Sequence, residues 1–122
     1  MIIEATPLAG AYLVDLERYE DAGGFFACSY CEDEFEAKGL VTDWPQCHVS
    51  FNERKGTLRG LHYNVEPYGE AKLARCTMGT VYDVIVDLRP DSPTTMSWRG
   101  GPVCSTGPFP RSATCETHGF AT

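Results

Sequence analysis

The chain of 122 residues is long enough for one domain. Its 17 acidic and 10 basic residues give a formal net charge of −7, which argues against nucleic-acid phosphates or an anionic membrane surface as the main partner. The 43% of apolar residues suffice for a hydrophobic core, yet no apolar run approaches the roughly 18 residues of a membrane span, and no secretory signal is visible. We therefore expect a cytoplasmic protein that binds neither nucleic acid nor membrane.

Short β-prone runs separated by glycine and proline follow one another along the chain. The runs that predict strands are 11–16, 24–30, 45–51, 56–63, 71–78 and 80–88. Between the second and the third run, Phe35 and Lys38 followed by Gly39 predict a short helix over 32–40. Gly79 is expected in the turn between the last two strands. Many short strands of this kind indicate an antiparallel sandwich or barrel.

The strand signal is strongest in the run 80–88, where side chains alternate along the whole length. One face of this run is apolar. The other face combines Val81 and Ile85 with the carboxylates of Asp83 and Asp87.

The chain changes character after Trp98. Residues 99–116 hold three prolines and three glycines and follow neither the helical nor the strand period. We therefore predict one domain over residues 1–98, followed by an irregular tail over residues 99–122. Such a tail leaves the predicted sheet with an unpaired edge.

Six cysteines are present, and without a secretory signal we expect them to be reduced. They are Cys28, Cys31, Cys47, Cys76, Cys104 and Cys115. Cys28 and Cys31 have CxxC spacing, which could be half of a zinc site or a redox pair, but no second CxxC and no HxxxH accompanies them. Residues three apart also point to opposite faces of a strand, so we expect no metal site.

The densest polar cluster lies between Gln46 and Lys72 and includes Arg59 and His62. Strict alternation in a strand over 57–63 would place Arg59 and His62 on opposite faces, but a bulge at the intervening glycine could bring them together. A half-buried histidine beside cations could transfer protons near neutral pH, and the cations could bind a phosphate or stabilise an oxyanion. The alternative is a core histidine with Arg59 and Lys72 as surface charges.

Three motifs in this region occur in a specific order and spacing between Ser50 and Thr94. They are LRGLHY, EAKLARC and VYDVIVDLRPDSPT. Together they resemble the dTDP-4-dehydrorhamnose 3,5-epimerase family. The segment that begins at Gly24, GGFFACSYCEDEFEAKGL, resembles the N-terminal strand and short helix of the same family. The matching segments cover roughly residues 24–98.

The resemblance implies an all-β, cupin-type jelly-roll barrel, incomplete in this chain, with one short helix near the N-terminus. It also implies a homodimer that binds its sugar nucleotide inside the barrel and needs no metal or organic cofactor. The family inverts C3 and C5 of a dTDP-linked 4-keto-6-deoxyhexose during dTDP-L-rhamnose synthesis. Protons next to a ketone are acidic because the resulting enolate delocalises the charge. A base removes such a proton on one face, an acid returns one on the other, and a cation stabilises the enolate.

Each motif residue carries a role from the family. By resemblance, His62 is the base, Lys72 lies near the ketone oxygen, and Arg59 contacts the nucleotide phosphates or the sugar. Gln46 begins the family's Q-x-N segment, which lines the substrate site, and His48 replaces the asparagine there.

Two further residues are candidates for the substrate site. Phe26 could pack on thymine or, alternatively, in the core. His118 in THGF is similar to the histidine of the family's AHGF segment, although so short a match could arise by chance.

The chain also departs from the family pattern. Gly23 stands where the family has an arginine that binds the nucleotide. The family's tyrosine acid and the aspartate that orients the histidine are not found, since no tyrosine follows Tyr82 and no aspartate follows Asp91. We therefore expect a truncated or partly frame-shifted family member. The alternatives are a non-catalytic nucleotide-sugar-binding cupin, an inactive fragment, or a 3- or 5-epimerase of another deoxysugar pathway.

Overall fold

The structure is a computed structural model that describes residues 1–104, 111–115 and 120–121. Within these residues the chain forms nine β-strands and one short α-helix, which confirms the predicted all-β class. The elements are β1 (Ile2–Ala5), β2 (Ala11–Asp15), β3 (Arg18–Asp21), β4 (Gly24–Ala27), α1 (Glu32–Glu36), β5 (Lys72–Arg75), β6 (Thr80–Asp87), β7 (Trp98–Cys104), β8 (Arg111–Cys115) and β9 (Phe120–Ala121). Among the described residues, no helix is both long and apolar enough to cross a membrane.

The strands form two antiparallel sheets and a separate hairpin. The four-stranded sheet has the order β1-β2-β8-β5, and the three-stranded sheet has the order β7-β6-β9. Strands β3 and β4 pair only with each other among the described strands. Because β5 and β6 are consecutive in the chain but lie in different sheets, the turn at Gly79, whose φ is 81°, carries the chain from one sheet to the other.

One core cluster joins the four-stranded sheet to the helix. Val14 of β2, Phe35 of α1 and Leu40 are buried together, and Leu73 of β5 packs against them. Tyr30 meets the Phe35 ring edge-on, with 5.0 Å between the ring centroids. This burial holds a helix of only five residues, which is too short to be stable alone.

The other core cluster lies between the two sheets. It consists of Leu8, Ala11 of β2 and Ile85 of β6. Since Ala11 and Val14 are three residues apart on one strand, they point to opposite faces of the four-stranded sheet. One face of that sheet therefore covers α1, and the other faces the three-stranded sheet.

A buried carboxylate fixes the chain just after β6. Asp87 is fully buried and accepts two hydrogen bonds of 2.9 Å from the Arg89 guanidinium, one of 2.5 Å from Ser92 Oγ and one of 2.6 Å from Thr94 Oγ1. Burial would raise the pKa of Asp87, but the hydrogen bonds from Arg89, Ser92 and Thr94 outweigh it and hold that pKa far below its ordinary range. Arg89 also donates to the carbonyl oxygen of Ala9, which ties this turn to the start of β2.

The structure corrects the strands predicted at 45–51 and 56–63. Residues 41–71 contain neither helix nor strand, and the apolar side chains of the two predicted strands are exposed, with Val49 at 97% and Leu58 at 92%. A strand needs a neighbour for its backbone hydrogen bonds, and none of the described strands pairs with this segment. High β-propensity alone therefore does not produce a strand here.

The structure also corrects the prediction that the chain is irregular beyond Trp98, because β7, β8 and β9 form there. Strand β7 pairs with β6 from Val86–Trp98 to Thr80–Cys104. A Cβ at Gly100 would lie 2.8 Å from Cε1 of Tyr82, so a side chain there would displace the Tyr82 ring. Pro102 is tolerated because β7 is an edge strand, where one side needs no hydrogen-bond donor. The domain boundary at residue 98 stays a prediction.

Candidate functional site

Lys72 is the candidate residue that lies in the four-stranded sheet. It begins β5, its side chain is 32% exposed, and its Nζ lies 3.3 Å from Oε1 of Glu70. In the four-stranded sheet Lys72 and Ala11 are both paired with Cys115, so the two residues share one face. The neighbouring Leu73 packs on the helix side. Lys72 therefore faces the space between the two sheets.

Asp83 faces the same space from the opposite sheet. It lies two residues before Ile85 on β6 and so shares the face that meets Ala11. Burial raises the pKa of Asp83 above its ordinary value, while a hydrogen bond from the backbone of Val84 and the positive charge of Lys72 act against the rise. The sequence reasoning did not select Asp83, although it had placed this carboxylate on the mixed face of the strand.

The other polar candidates lie in the segment without helix or strand. Gln46, His48, Arg59 and His62 are all exposed, and Arg59 Nε donates to Oδ1 of Asn52 at 2.5 Å. Within the described residues, no hydrogen bond or ion pair joins Gln46, His48 or His62 to Lys72. The exposure of His62 rules out the alternative of a core histidine. Their roles in a substrate site stay predictions.

Phe26 lies on the surface of the β3–β4 hairpin. It is 76% exposed, which excludes the alternative that it packs in the core. The Arg18 guanidinium lies over the ring of the adjacent Phe25, 4.3 Å from the ring centroid. His118 lies outside the described residues.

Cys28 and Cys31 precede α1 as free thiols, and Cys28 Sγ donates to the carbonyl oxygen of Tyr30 at 3.0 Å. Among the described residues, no group of three or more histidine, cysteine, aspartate or glutamate side chains is placed to hold a metal ion. The CxxC spacing thus gains no third ligand from this part of the chain.

The protein-family model described as dTDP-4-dehydrorhamnose 3,5-epimerase matches residues 5–105. The chain belongs to this family. The enzyme of that name from Shigella flexneri is 40% identical over 101 residues, which are 82% of this chain and 55% of the relative. The chain thus spans about half the length of the curated relatives it matches.

Solved structures of the family share the fold. The dTDP-4-dehydrorhamnose 3,5-epimerase from Bacillus anthracis, crystallised with TDP and PPi, superposes with a TM-score of 0.88 at 35% identity, over 98% of this chain and 67% of that one. The epimerase from Legionella pneumophila, in complex with dTDP-4-keto-L-rhamnose, superposes with a TM-score of 0.84 at 31% identity, over 98% of this chain and 62% of that one. The described strands therefore belong to a cupin-type jelly roll, as the resemblance implied.

Gly23, which by resemblance stands at the position of a nucleotide-binding arginine, lies in the turn between β3 and β4. The backbone N–H of Gly23 donates to Oδ1 of Asp21 at 2.7 Å. A Cβ at Gly23 would lie 3.3 Å from that same carboxylate oxygen, which can rotate away. The turn therefore accepts a side chain at this position.

Gly23→Arg is expected to tighten binding of thymidine diphosphate about tenfold to hundredfold, because a charge-assisted hydrogen bond to phosphate contributes about 1.5–3 kcal/mol. Isothermal titration calorimetry on the two proteins measures the change. Gly23→Gln is the matched control, since it adds a side chain without charge. Equal affinity of the Arg and Gln variants would contradict a phosphate contact at this turn.

Proposed function

We propose that this protein catalyses proton exchange and epimerisation at C3 and C5 of dTDP-4-keto-6-deoxyglucose, the reaction of dTDP-L-rhamnose synthesis that its family name describes. The observation that carries the proposal is the position of Lys72, whose half-buried ammonium group faces the space between two sheets of a cupin-type fold. We further propose that the protein works as a cytoplasmic homodimer and needs no cofactor.

His62 is the proposed base, and Lys72 is the proposed partner of the ketone oxygen. His62 removes the proton from the carbon next to the ketone, and the electron pair moves onto the ketone oxygen to form an enolate. The ammonium group of Lys72 lowers the energy of that enolate by placing a positive charge where the negative charge develops. A proton from solvent, added to the opposite face of the carbon, then inverts its configuration, and His62 releases the abstracted proton to solvent.

The remaining candidates are proposed to hold the sugar nucleotide. Arg59 contacts its diphosphate or its sugar, and Gln46 and His48 line the sugar site. Phe26 stacks on thymine, for which its exposed ring is suited. His118 completes the binding site. In the proposed dimer, the partner subunit covers the exposed segment that carries Gln46, His48, Arg59 and His62.

The reaction is tested with the purified 122-residue protein and dTDP-4-keto-6-deoxyglucose in deuterated water. Proton NMR follows the entry of deuterium at C3 and C5 and the configuration of the product. Deuterium at both carbons with inversion supports the proposal, and deuterium at one carbon alone identifies a 3- or a 5-epimerase. Exchange with retained configuration would show that abstraction works without an acid on the opposite face. It would overturn epimerisation but not the role of a base.

A non-catalytic nucleotide-sugar-binding module is the second candidate function. It is favoured by the absence of the nucleotide-binding arginine at Gly23 and by the exposure of His62 outside the sheets. Calorimetric binding of thymidine diphosphate by a folded protein that incorporates no deuterium would establish this function and overturn the epimerase.

A further inference from the structure

Glu70 and Asp83, two carboxylates of the described residues, act on Lys72 and differ in their exposure to water. Glu70 precedes Lys72 by two residues in the chain. Its Oε1 lies 3.3 Å from Nζ of Lys72, and its side chain is 51% exposed. Asp83 comes from the opposite sheet and is partly buried. An exposed pair gains little because water and salt screen it, whereas a charge that is shielded from water acts more strongly on its neighbours.

The strand registers place Lys72 and Asp83 on facing surfaces. Ala11 and Ile85 meet between the two sheets. Lys72 lies two strands from Ala11 in the same row of its sheet, and Asp83 lies two residues from Ile85 on the same face of its strand. Both side chains therefore extend from the edge of the Ala11–Ile85 contact into the same space.

Room for a ligand adjoins Asp83. Its partner on β7 is Gly101, and paired residues of neighbouring strands point to the same face. A Cβ built on Gly101 meets no atom within 4 Å. The face that carries Asp83 is therefore open on this side, next to the group that the proposed function assigns to the ketone oxygen.

We propose that Asp83 is a positioning residue that holds the ammonium group of Lys72 in the space between the sheets, aimed at the substrate's ketone. The inference deepens the proposed function and rests on it for the identity of the substrate. Asp83 touches neither the ketone nor the reacting carbons. It acts as a second, less exposed carboxylate that attracts Lys72 in competition with Glu70, so that the positive charge is already in place when the enolate forms.

Asp83→Asn is expected to lower kcat for deuterium exchange about 10- to 100-fold and to change KM by no more than about threefold, since a misplaced charge costs the transition state more than the bound substrate. Glu70→Gln is the matched control, because it removes the carboxylate that forms an ion pair with the same lysine. It is expected to keep kcat within about twofold. A loss of kcat in Glu70→Gln as large as that in Asp83→Asn would overturn the proposal.

A second measurement needs no activity. Carbon-13 NMR follows the titration of the Asp83 carboxyl in the unmodified protein, in Lys72→Met and in Glu70→Gln. Removal of the lysine charge is expected to raise the pKa of Asp83 further, whereas Glu70→Gln is expected to leave the lysine's effect on that carboxyl in place. An unchanged Asp83 titration in Lys72→Met would overturn the proposal, even if Asp83→Asn does not fold. A protein with this coupling but without deuterium exchange would contradict only the proposed reaction.

Discussion

His62→Ala is expected to slow deuterium entry at C3 and C5 by about 10²- to 10⁴-fold, which is the usual contribution of a positioned general base. Without the imidazole, the proposed site has no base to remove the proton. Lys72 remains in place and still stabilises the enolate. NMR measurement of the exchange rate at saturating substrate checks the prediction. Affinity for thymidine diphosphate is expected to change little, because His62 is assigned to the sugar carbons rather than to the nucleotide.

Asn64→Ala provides the control for this experiment. Asn64 is exposed in the same segment, two residues from His62, and has no assigned role. The rate of deuterium exchange catalysed by Asn64→Ala is expected to remain within about twofold of the rate of the unmodified protein. Added imidazole offers an independent check, since a small base can enter the space left by an exposed histidine side chain and restore part of the exchange. A rate within threefold of the unmodified protein in His62→Ala would remove His62 as the base.

The strands that could be predicted are those whose pattern is complete within the strand itself. In β6 the alternation of Tyr82, Val84 and Val86 with Ile85 and Asp87 is local information, and the strand forms there, with Ile85 and Asp87 of the mixed face buried. Strand β7 could not be predicted because its residues are explained by their contacts with another strand, β6. The Tyr82 ring lies over Gly100, and this contact becomes visible only when the two strands are paired.

The opposite error arose at residues 56–63. That run has strand propensity, but among the described strands it has no partner, and propensity cannot replace the missing backbone hydrogen bonds. For the candidate site, the motifs selected Lys72 from the sequence. Asp83 was visible only as one of two carboxylates on a strand face. The registers of both sheets were needed to show that Asp83 and Lys72 face the same space. Asp87, by contrast, is fully buried.

Asp87→Asn is expected to lower the free energy of unfolding by about 3 kcal/mol, as expected when one partner of a buried ion pair is removed. The amide keeps one acceptor oxygen, so it cannot accept from Arg89, Ser92 and Thr94 together, and the partly buried guanidinium loses its counter-charge. Urea unfolding followed by circular dichroism measures the change. Asp91→Asn is the matched control, since Asp91 is exposed in the same turn, and its expected effect is below about 0.5 kcal/mol.

Comparing the unmodified protein with Asp87→Asn at different pH values separates the effect of the Asp87 charge from the effect of its shape. Hydrogen bonds keep the pKa of Asp87 in the folded protein below its value in the unfolded chain. This depression stabilises the fold fully above the unfolded pKa of about 4, and the stabilisation is lost as the pH falls from there toward the folded value. Asparagine carries no charge at any of these pH values. The difference in unfolding free energy between the unmodified protein and Asp87→Asn is therefore expected to be largest near neutral pH and to shrink below about pH 4. A difference that stays constant into acid would mean that the network depends on the shape of the side chain and not on its charge.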